Sequence, residues 1–116
     1  IVLFSTVAVQ TGMTYHASVA ASKGAVEGLT CSLAAEFAPN IRVNCIAPSI
    51  TNTPLAEKLL NNETKLKASE DRHPLKRIGS AEEIAKTVEF LLSSSSGFIT
   101  GQILKVDGGI SSVKSI

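Results

Sequence analysis

Side chains that can move a proton are concentrated in one short stretch of the sequence. Tyr15 offers a phenol, His16 an imidazole and Lys23 an amine. If a helix starts one turn before Val19, then Tyr15, Val19 and Lys23 fall at i, i+4 and i+8 on one face. His16 lies three residues before Val19, and its unperturbed pKa of about 6.5 suits proton transfer. The alternative is that Tyr15 and His16 are loop residues that line or cover a substrate entrance.

The elements around this stretch follow the order strand, helix, strand. The apolar run over residues 1–5 predicts a strand buried on both faces of a parallel sheet. The stretch 18–37 predicts a helix with a stripe at Val26, Leu29, Leu33 and Phe37, and with Glu27 off that stripe. Residues 41–47 predict the next strand. The short links between these elements favour a parallel crossover.

The second half continues the alternation. Thr53 and Pro54 predict the cap and first residue of a short helix through Leu55 and Leu59, and an extension to Leu66 stays open. The polar segment that follows is expected to be mobile, with His73 as a loop histidine. No second metal ligand stands at a suitable distance from it, and no metal site is predicted.

The last part of the chain carries clear boundary signals. Ser80 and Glu83 form a capping-box pattern that starts a helix, with Ile84, Val88, Leu91 and Leu92 on one face. The serines at 93–96 are expected to form a solvated loop. A strand over 103–106 then ends in Asp107-Gly108-Gly109, a turn that requires positive backbone angles.

Together these elements predict an α/β fold, with three parallel strands and a helix between each pair. A complete doubly wound, Rossmann-type sheet has about twice that number of strands, and its first turn carries a glycine-rich phosphate loop. No such loop occurs in this sequence. Residues 1–116 are therefore expected to form one partial Rossmann-type domain, the C-terminal half without the glycine-rich half. The apolar run at the start also predicts that the sequence begins inside a domain.

Composition excludes several classes of function. A net charge of +1 without a basic cluster disfavours nucleic acid and anionic membranes as partners. No apolar run approaches the roughly 20 residues that span a bilayer, so a cytoplasmic location is the default expectation. Cys31 and Cys45 lack metal-ligand spacing and are predicted to be buried thiols.

Several motifs, in the right order and with the right gaps, resemble the short-chain dehydrogenase/reductase family. Ile1 to Thr6 looks like the family's strand that ends in a catalytic serine, and the distance from Thr6 to Val19 equals the serine-to-tyrosine spacing. Val19 and Lys23 occupy the positions of the family's Tyr-x-x-x-Lys pair. The remaining matches are Asn44 to Pro54 with the nicotinamide loop, His73 to Ile84 with the Pro-Leu-x-Arg-x-Gly-x-x-Glu-Glu-Ile element, and Thr100 to Gly109 with the last strand and turn.

The resemblance implies reversible hydride transfer between NAD or NADP and an alcohol/carbonyl pair. It assigns Thr6 to the substrate oxygen and Lys23 to the nicotinamide ribose, but Val19 cannot donate the proton that the family's tyrosine supplies. Tyr15 and His16 are the candidates to replace it. The resemblance assigns cofactor contacts to Lys23, Pro48, Ser49, Thr51 and Thr53, where Ser49 replaces a glycine and Thr51 an aliphatic residue.

The expected function is therefore an NAD(P)-dependent oxidoreductase with an atypical or impaired active site, acting on a small-molecule carbonyl or alcohol. The alternatives are a non-catalytic cofactor-binding or assembly protein, or a fragment that is inactive alone. Gly24 and Gly28, one turn apart on the 18–37 helix, favour a homo-oligomer packed through that helix, and packing within the chain is the alternative reading. The sequence selects neither the substrate nor NAD over NADP.

Overall fold

The structure, a computed structural model, describes residues 1–114. The strands are β1 (Val2–Phe4), β2 (Asn44–Pro48), β3 (Thr51–Asn52), β4 (Gly79–Ser80) and β5 (Ile103–Val106). The helices are α1 (Ala8–Thr11), α2 (Ala17–Phe37), α3 (Glu63–Arg72) and α4 (Ala81–Leu92), with 3₁₀ turns at Pro54–Leu59 and Ser94–Ser96. The main sheet has the order β1-β2-β5 and is parallel throughout, which confirms the predicted α/β fold with three parallel strands.

The core is centred on β2, because this strand has a neighbour on each side. Val43, Cys45 and Ile46 are fully buried there. β2 spans Asn44–Pro48 rather than the predicted residues 41–47, so the prediction started the strand three residues too early. The reason is that the amide of Val43 donates to the side-chain oxygen of Thr100 instead of joining the ladder.

The first strand is shorter and more exposed than predicted. It covers Val2–Phe4, and Phe4 is 45% exposed, so the prediction of a strand buried on both faces was wrong. Within residues 1–114, β1 pairs only with β2 and forms an edge of the sheet. One of its sides therefore lacks the neighbour that would bury it.

The long helix α2 matches the predicted span, and three of the four residues of the predicted stripe are half-buried, so the packed face is shifted slightly from that stripe. Its buried residues are Thr30 and Ala34, whereas Leu29 is 48% exposed. Glu27 was placed off the packed stripe, yet its carboxylate accepts a hydrogen bond of 2.6 Å from the buried hydroxyl of Ser5. Because this hydrogen bond replaces one to water, the Glu27 carboxylate can lie against the sheet without the free-energy cost of an unpaired charge.

The polar segment forms a regular helix. The helix predicted through Leu55 and Leu59, with an open extension to Leu66, consists of two pieces, the 3₁₀ turn Pro54–Leu59 and then α3. Asn62 separates them, since its side chain accepts the Lys65 amide at 2.8 Å and so caps the new helix.

The boundary signals around α4 are confirmed. The reciprocal capping box joins Ser80 and Glu83, and Gly108 and Gly109 adopt φ values of 60° and 89°. Leu92 was placed on the packed face but is 60% exposed. The serine run is not wholly solvated, because Ser96 is buried and its hydroxyl accepts a hydrogen bond from Arg42.

The two cysteines differ in environment. Cys45 is buried in β2, as predicted, and burial raises the pKa of its thiol despite a hydrogen bond with Thr30. The prediction that Cys31 is buried was wrong, because it lies on the exposed side of α2. No helix within residues 1–114 is both long enough and apolar enough to span a bilayer.

Candidate active site

A cleft of about 1040 Å³ lies beside the carboxyl ends of β1 and β2. Its polar wall includes Thr6, His16, Ser49, Thr51, Thr53 and His73, and its apolar wall includes Met13, Val19, Leu55, Leu59, Ile84 and Ile110. Most predicted site residues therefore border one cavity, at the edge of the sheet where α/β proteins bind ligands. Within residues 1–114 no cluster of three or more histidine, cysteine or carboxylate side chains could hold a metal ion.

Thr6 stands directly after β1, where the chain leaves the sheet. Its hydroxyl oxygen accepts a hydrogen bond of 3.3 Å from the amide of Ala8, which starts the short helix α1. The next residue, Val7, donates its amide to the carbonyl of Pro48 at 3.2 Å. This bond brings Thr6 beside the loop that follows β2, and both border the cleft.

Lys23 reaches the same strand end from α2. Its ammonium donates a hydrogen bond of 3.0 Å to the carbonyl of Phe4, the last residue of β1. Val19 lies one turn earlier, borders the cleft and is 42% exposed. The sheet end therefore carries a hydroxyl and an ammonium, with an aliphatic side chain where the family pattern has a phenol.

The structure separates the two candidate replacements for that phenol. α2 begins at Ala17, and Tyr15 precedes it with φ of 64° and a side chain that is 99% exposed. Tyr15 therefore does not share a helix face with Lys23, and it does not border the cleft. His16 does border the cleft, and its Nδ1 lies 2.8 Å from the carbonyl oxygen of Thr14.

The loop after β2 is held by its own hydroxyl groups and by neighbouring strands. Ser49 donates its amide to Val106 of β5 at 3.2 Å, and the hydroxyl of Thr51 donates to the carbonyl of Ser49 at 3.0 Å. Thr51 also pairs with Gly79 in the small parallel ladder of β3 and β4, which the sequence reasoning missed. Pro48, Ser49, Thr51 and Thr53 all border the cleft, and three of them bring a hydroxyl oxygen to it.

His73 lies in the loop after α3, as predicted, but its burial was not foreseen. It caps the end of α3, is only 2% exposed and borders the cleft. Its Nε2 lies 2.6 Å from the hydroxyl oxygen of Ser49. The signal that could have found it is Ser49 itself, a hydroxyl placed where the family pattern has glycine.

An ion pair fixes the entry to α4 near this loop. The Arg77 guanidinium makes two hydrogen bonds to the Glu83 carboxylate, of 2.9 and 2.6 Å. These bonds, together with one from the Ser80 amide, lower the pKa of Glu83 to about 2. The same carboxylate completes the capping box, so a single side chain joins the 77–80 connection to the helix.

Comparisons with known proteins identify the family of this chain. A family model described as enoyl-(acyl carrier protein) reductase matches residues 1–111. A tropinone reductase homolog from Arabidopsis thaliana is 43% identical over 110 residues, which are 94% of this chain and 42% of that protein. The chain belongs to the short-chain dehydrogenase/reductase family.

Two solved structures show how closely the backbone follows this family. A 4-hydroxyisoleucine dehydrogenase complexed with NADH superposes with a TM-score of 0.91 at 34% identity, over 98% of this chain and 47% of that one. A gluconate 5-dehydrogenase from Burkholderia cenocepacia, in complex with NADP and tartrate, gives 0.90 at 33% identity, over 98% and 45%. The chain thus spans less than half the length of each of these proteins.

Proposed function

We propose that this chain provides the substrate-facing, C-terminal half of an NAD(P)-dependent oxidoreductase that interconverts an alcohol and a carbonyl. The observation that carries the proposal is that Thr6 and the Pro48 loop border one cleft, while the Lys23 ammonium is hydrogen-bonded to Phe4, which borders the same cleft. The chain covers less than half the length of the tropinone reductase homolog and of the 4-hydroxyisoleucine dehydrogenase, which supports a longer Rossmann-type domain in the full-length protein. The glycine-rich half of that domain would hold the pyrophosphate.

The residues present fit the nicotinamide end of such a cofactor. Lys23 carries an ammonium that can bind ribose hydroxyls. The hydroxyl protons of Ser49, Thr51 and Thr53 are donated within the protein, so their oxygens can accept hydrogen bonds from the NH₂ group of a carboxamide. When bound, the nicotinamide supplies or accepts the hydride. Nothing in these residues selects NAD over NADP.

The chain's own groups handle the substrate oxygen. As a carbonyl is reduced, negative charge develops on its oxygen, and the hydroxyl of Thr6 can donate a hydrogen bond to it. The Lys23 ammonium at the same strand end favours that charge. Val19 offers no proton, so we assign proton delivery to His16, which borders the cleft, ahead of Tyr15, which is fully exposed.

The test uses the full-length protein that contains these residues. Quenching or enhancement of reduced nicotinamide fluorescence measures binding, and turnover with a broad panel of carbonyl compounds measures catalysis. We expect binding that is lost in Lys23→Met, and slow turnover that His16→Asn reduces further. Binding without any turnover would instead support the alternative, a non-catalytic cofactor-binding protein.

We also infer that the full-length protein forms a homo-oligomer through α2. A Cβ at Gly24 would meet Val9 of the same chain at 3.7 Å, so this glycine packs against α1. A Cβ at Gly28 would meet nothing within 4 Å, and the neighbouring Leu29 is 48% exposed. This open face supports packing against a second copy.

Light scattering tests the oligomer. Gly28→Leu should shift the protein to monomer, because a large side chain would block close approach of two helices, whereas Gly28→Ala should keep the fold and favour the helix by about 1 kcal/mol. An unchanged mass for Gly28→Leu would refute this interface. The cytoplasmic location stays a prediction.

A further inference from the structure

The Ser49–His73 pair is a buried polar link that the roles above leave unused. The Nδ1 of His73 lies 2.7 Å from the carbonyl oxygen of Ser69. A carbonyl can only accept, so Nδ1 carries a proton. In a neutral imidazole, Nε2 is then the acceptor, and the Ser49 hydroxyl donates to it across 2.6 Å.

The imidazole is also held by packing from the turn after β5. A Cβ on Gly108 would stand 3.3 Å from the ring carbon Cδ2 of His73, which is tight contact, and the φ of +60° at this position also favours glycine. The Leu75 amide donates to the Gly108 carbonyl at 3.3 Å. Asp107 stabilises the turn by accepting the Gly109 amide at 2.9 Å.

Asp107 holds this turn in its ionised form, because a carboxylate accepts hydrogen bonds from the turn. Burial acts to raise its pKa, but hydrogen bonds from Ser111 and from the Gly109 amide outweigh burial and lower the pKa below its ordinary value. The ring of His73 is thus fixed by α3 through Ser69 and by the turn through Gly108.

Ser49 is the partner that joins this fixed ring to the cleft. It is the first residue after β2, and its amide is bound to Val106 of β5. A glycine at this position, as in the family pattern, has no hydroxyl and could not form the link. Both Ser49 and His73 border the cleft, together with Pro48 and Thr51.

We propose that Ser49 and His73 act as one unit that positions the 48–53 loop for a nicotinamide nucleotide, with His73 as a positioning residue. The unit ties the loop to α3 and to the β5 turn before ligand arrives, so less ordering is needed on binding. Because the hydroxyl proton is used by Nε2, the Ser49 oxygen offers only acceptor lone pairs to the cleft. The proposal rests on the proposed function, since it concerns affinity for that cofactor.

A double-mutant cycle tests the unit in the full-length protein. The variants are Ser49→Ala, His73→Asn and the pair, with dissociation constants for NADH and NADPH measured by fluorescence. Each single change should weaken binding by about 2- to 10-fold, the range for loss of one neutral hydrogen bond. The pair should bind no more weakly than the worse single variant, because the two side chains share one interaction.

Two further variants separate positioning from general damage. Ser49→Thr keeps the hydroxyl and should recover most of the affinity, and Ser95→Ala, on the exposed serine run, should bind like the wild type. Fully additive losses in the double variant, or unchanged binding in Ser49→Ala, would overturn the proposal. Nitrogen-15 chemical shifts of the imidazole report whether the proton resides on Nδ1, and a proton on Nε2 at neutral pH would also overturn it.

Failure of the proposed function is recognised separately. If the wild type binds neither nucleotide, the oxidoreductase proposal fails, and the link is then judged from free energies of unfolding of the same four proteins. Non-additive unfolding free energies would support the Ser49–His73 unit, and additive ones would refute it.

Discussion

Restoring a phenol at position 19 is the most informative perturbation of this site. Val19 borders the cleft and is 42% exposed, so a tyrosine ring would enter open space rather than a packed core. Lys23 lies one helical turn further on, with its ammonium at the end of β1. A phenol at position 19 would therefore stand beside a positive charge that favours its ionised form.

The expected magnitude follows from the role of a general acid. A positioned proton donor contributes about 10²- to 10⁴-fold in rate, which corresponds to roughly 3–5 kcal/mol of barrier. We expect Val19→Tyr to raise kcat/KM for carbonyl reduction by a factor in this range. The gain is best measured in a His16→Asn background, because a working His16 would mask part of it.

The assay follows oxidation of the reduced nicotinamide by absorbance, in the full-length protein and with the same carbonyl panel. Val19→Phe is the matched control, since it adds the ring without the hydroxyl. Adding Lys23→Met to Val19→Tyr should remove most of the gain. Equal rates for Val19→Tyr and Val19→Phe would refute the placement of Val19 at the proton-donor position.

Two further predictions concern the pH dependence of stability and the reactivity of the cysteines. Because Arg77 hydrogen bonds hold the pKa of Glu83 at about 2, below its ordinary 4.5, the stabilisation from Glu83 is present above about pH 4.5 and is lost as the pH falls towards 2. Glu83→Gln should therefore lower the urea midpoint of unfolding at neutral pH but not near pH 2. The control Glu82→Gln, at an exposed position, should change the midpoint little at either pH. Equal losses at neutral pH for the two variants would contradict this prediction. Thiol titration of the monomeric Gly28→Leu variant should modify Cys31 in the native state and Cys45 only on unfolding, and rapid modification of both in the native state would refute the burial of Cys45.

The sequence predicted those features that depend on local patterns. The Ser80–Glu83 capping box and the turn after β5 rest on side chains that interact with nearby backbone, and the span of α2 follows from the pattern of apolar residues; the structure contains each of them. The parallel order of the strands also followed from the alternation of elements.

The features that sequence reasoning missed depend on contacts between distant residues. Glu27 faces the sheet because Ser5, far away in the sequence, donates to it. His73 is buried because Ser49 and the turn at Gly108 surround it. In the sequence, Glu27 is a charged residue off an apolar stripe and His73 is a histidine beside a proline. Both patterns are typical of residues at the surface, so the burial of neither side chain was predicted.

The candidate site residues came from the family resemblance, and their roles stay predictions. In the structure Thr6 and Pro48 border the cleft, and the Lys23 ammonium is hydrogen-bonded to Phe4 at the same strand end. Tyr15 lies outside the helix, as the loop alternative required, because its left-handed backbone angle precedes the start of α2 at Ala17.

The central claim is that this cleft carries out hydride transfer. The most direct measurement is to supply the full-length protein with reduced nicotinamide nucleotide deuterated at C4 of the nicotinamide ring, and to analyse the alcohol products by mass spectrometry. The account predicts deuterium on the carbinol carbon, strongly reduced in Lys23→Met and in Thr6→Val. Nucleotide binding with no deuterium in any product would contradict it.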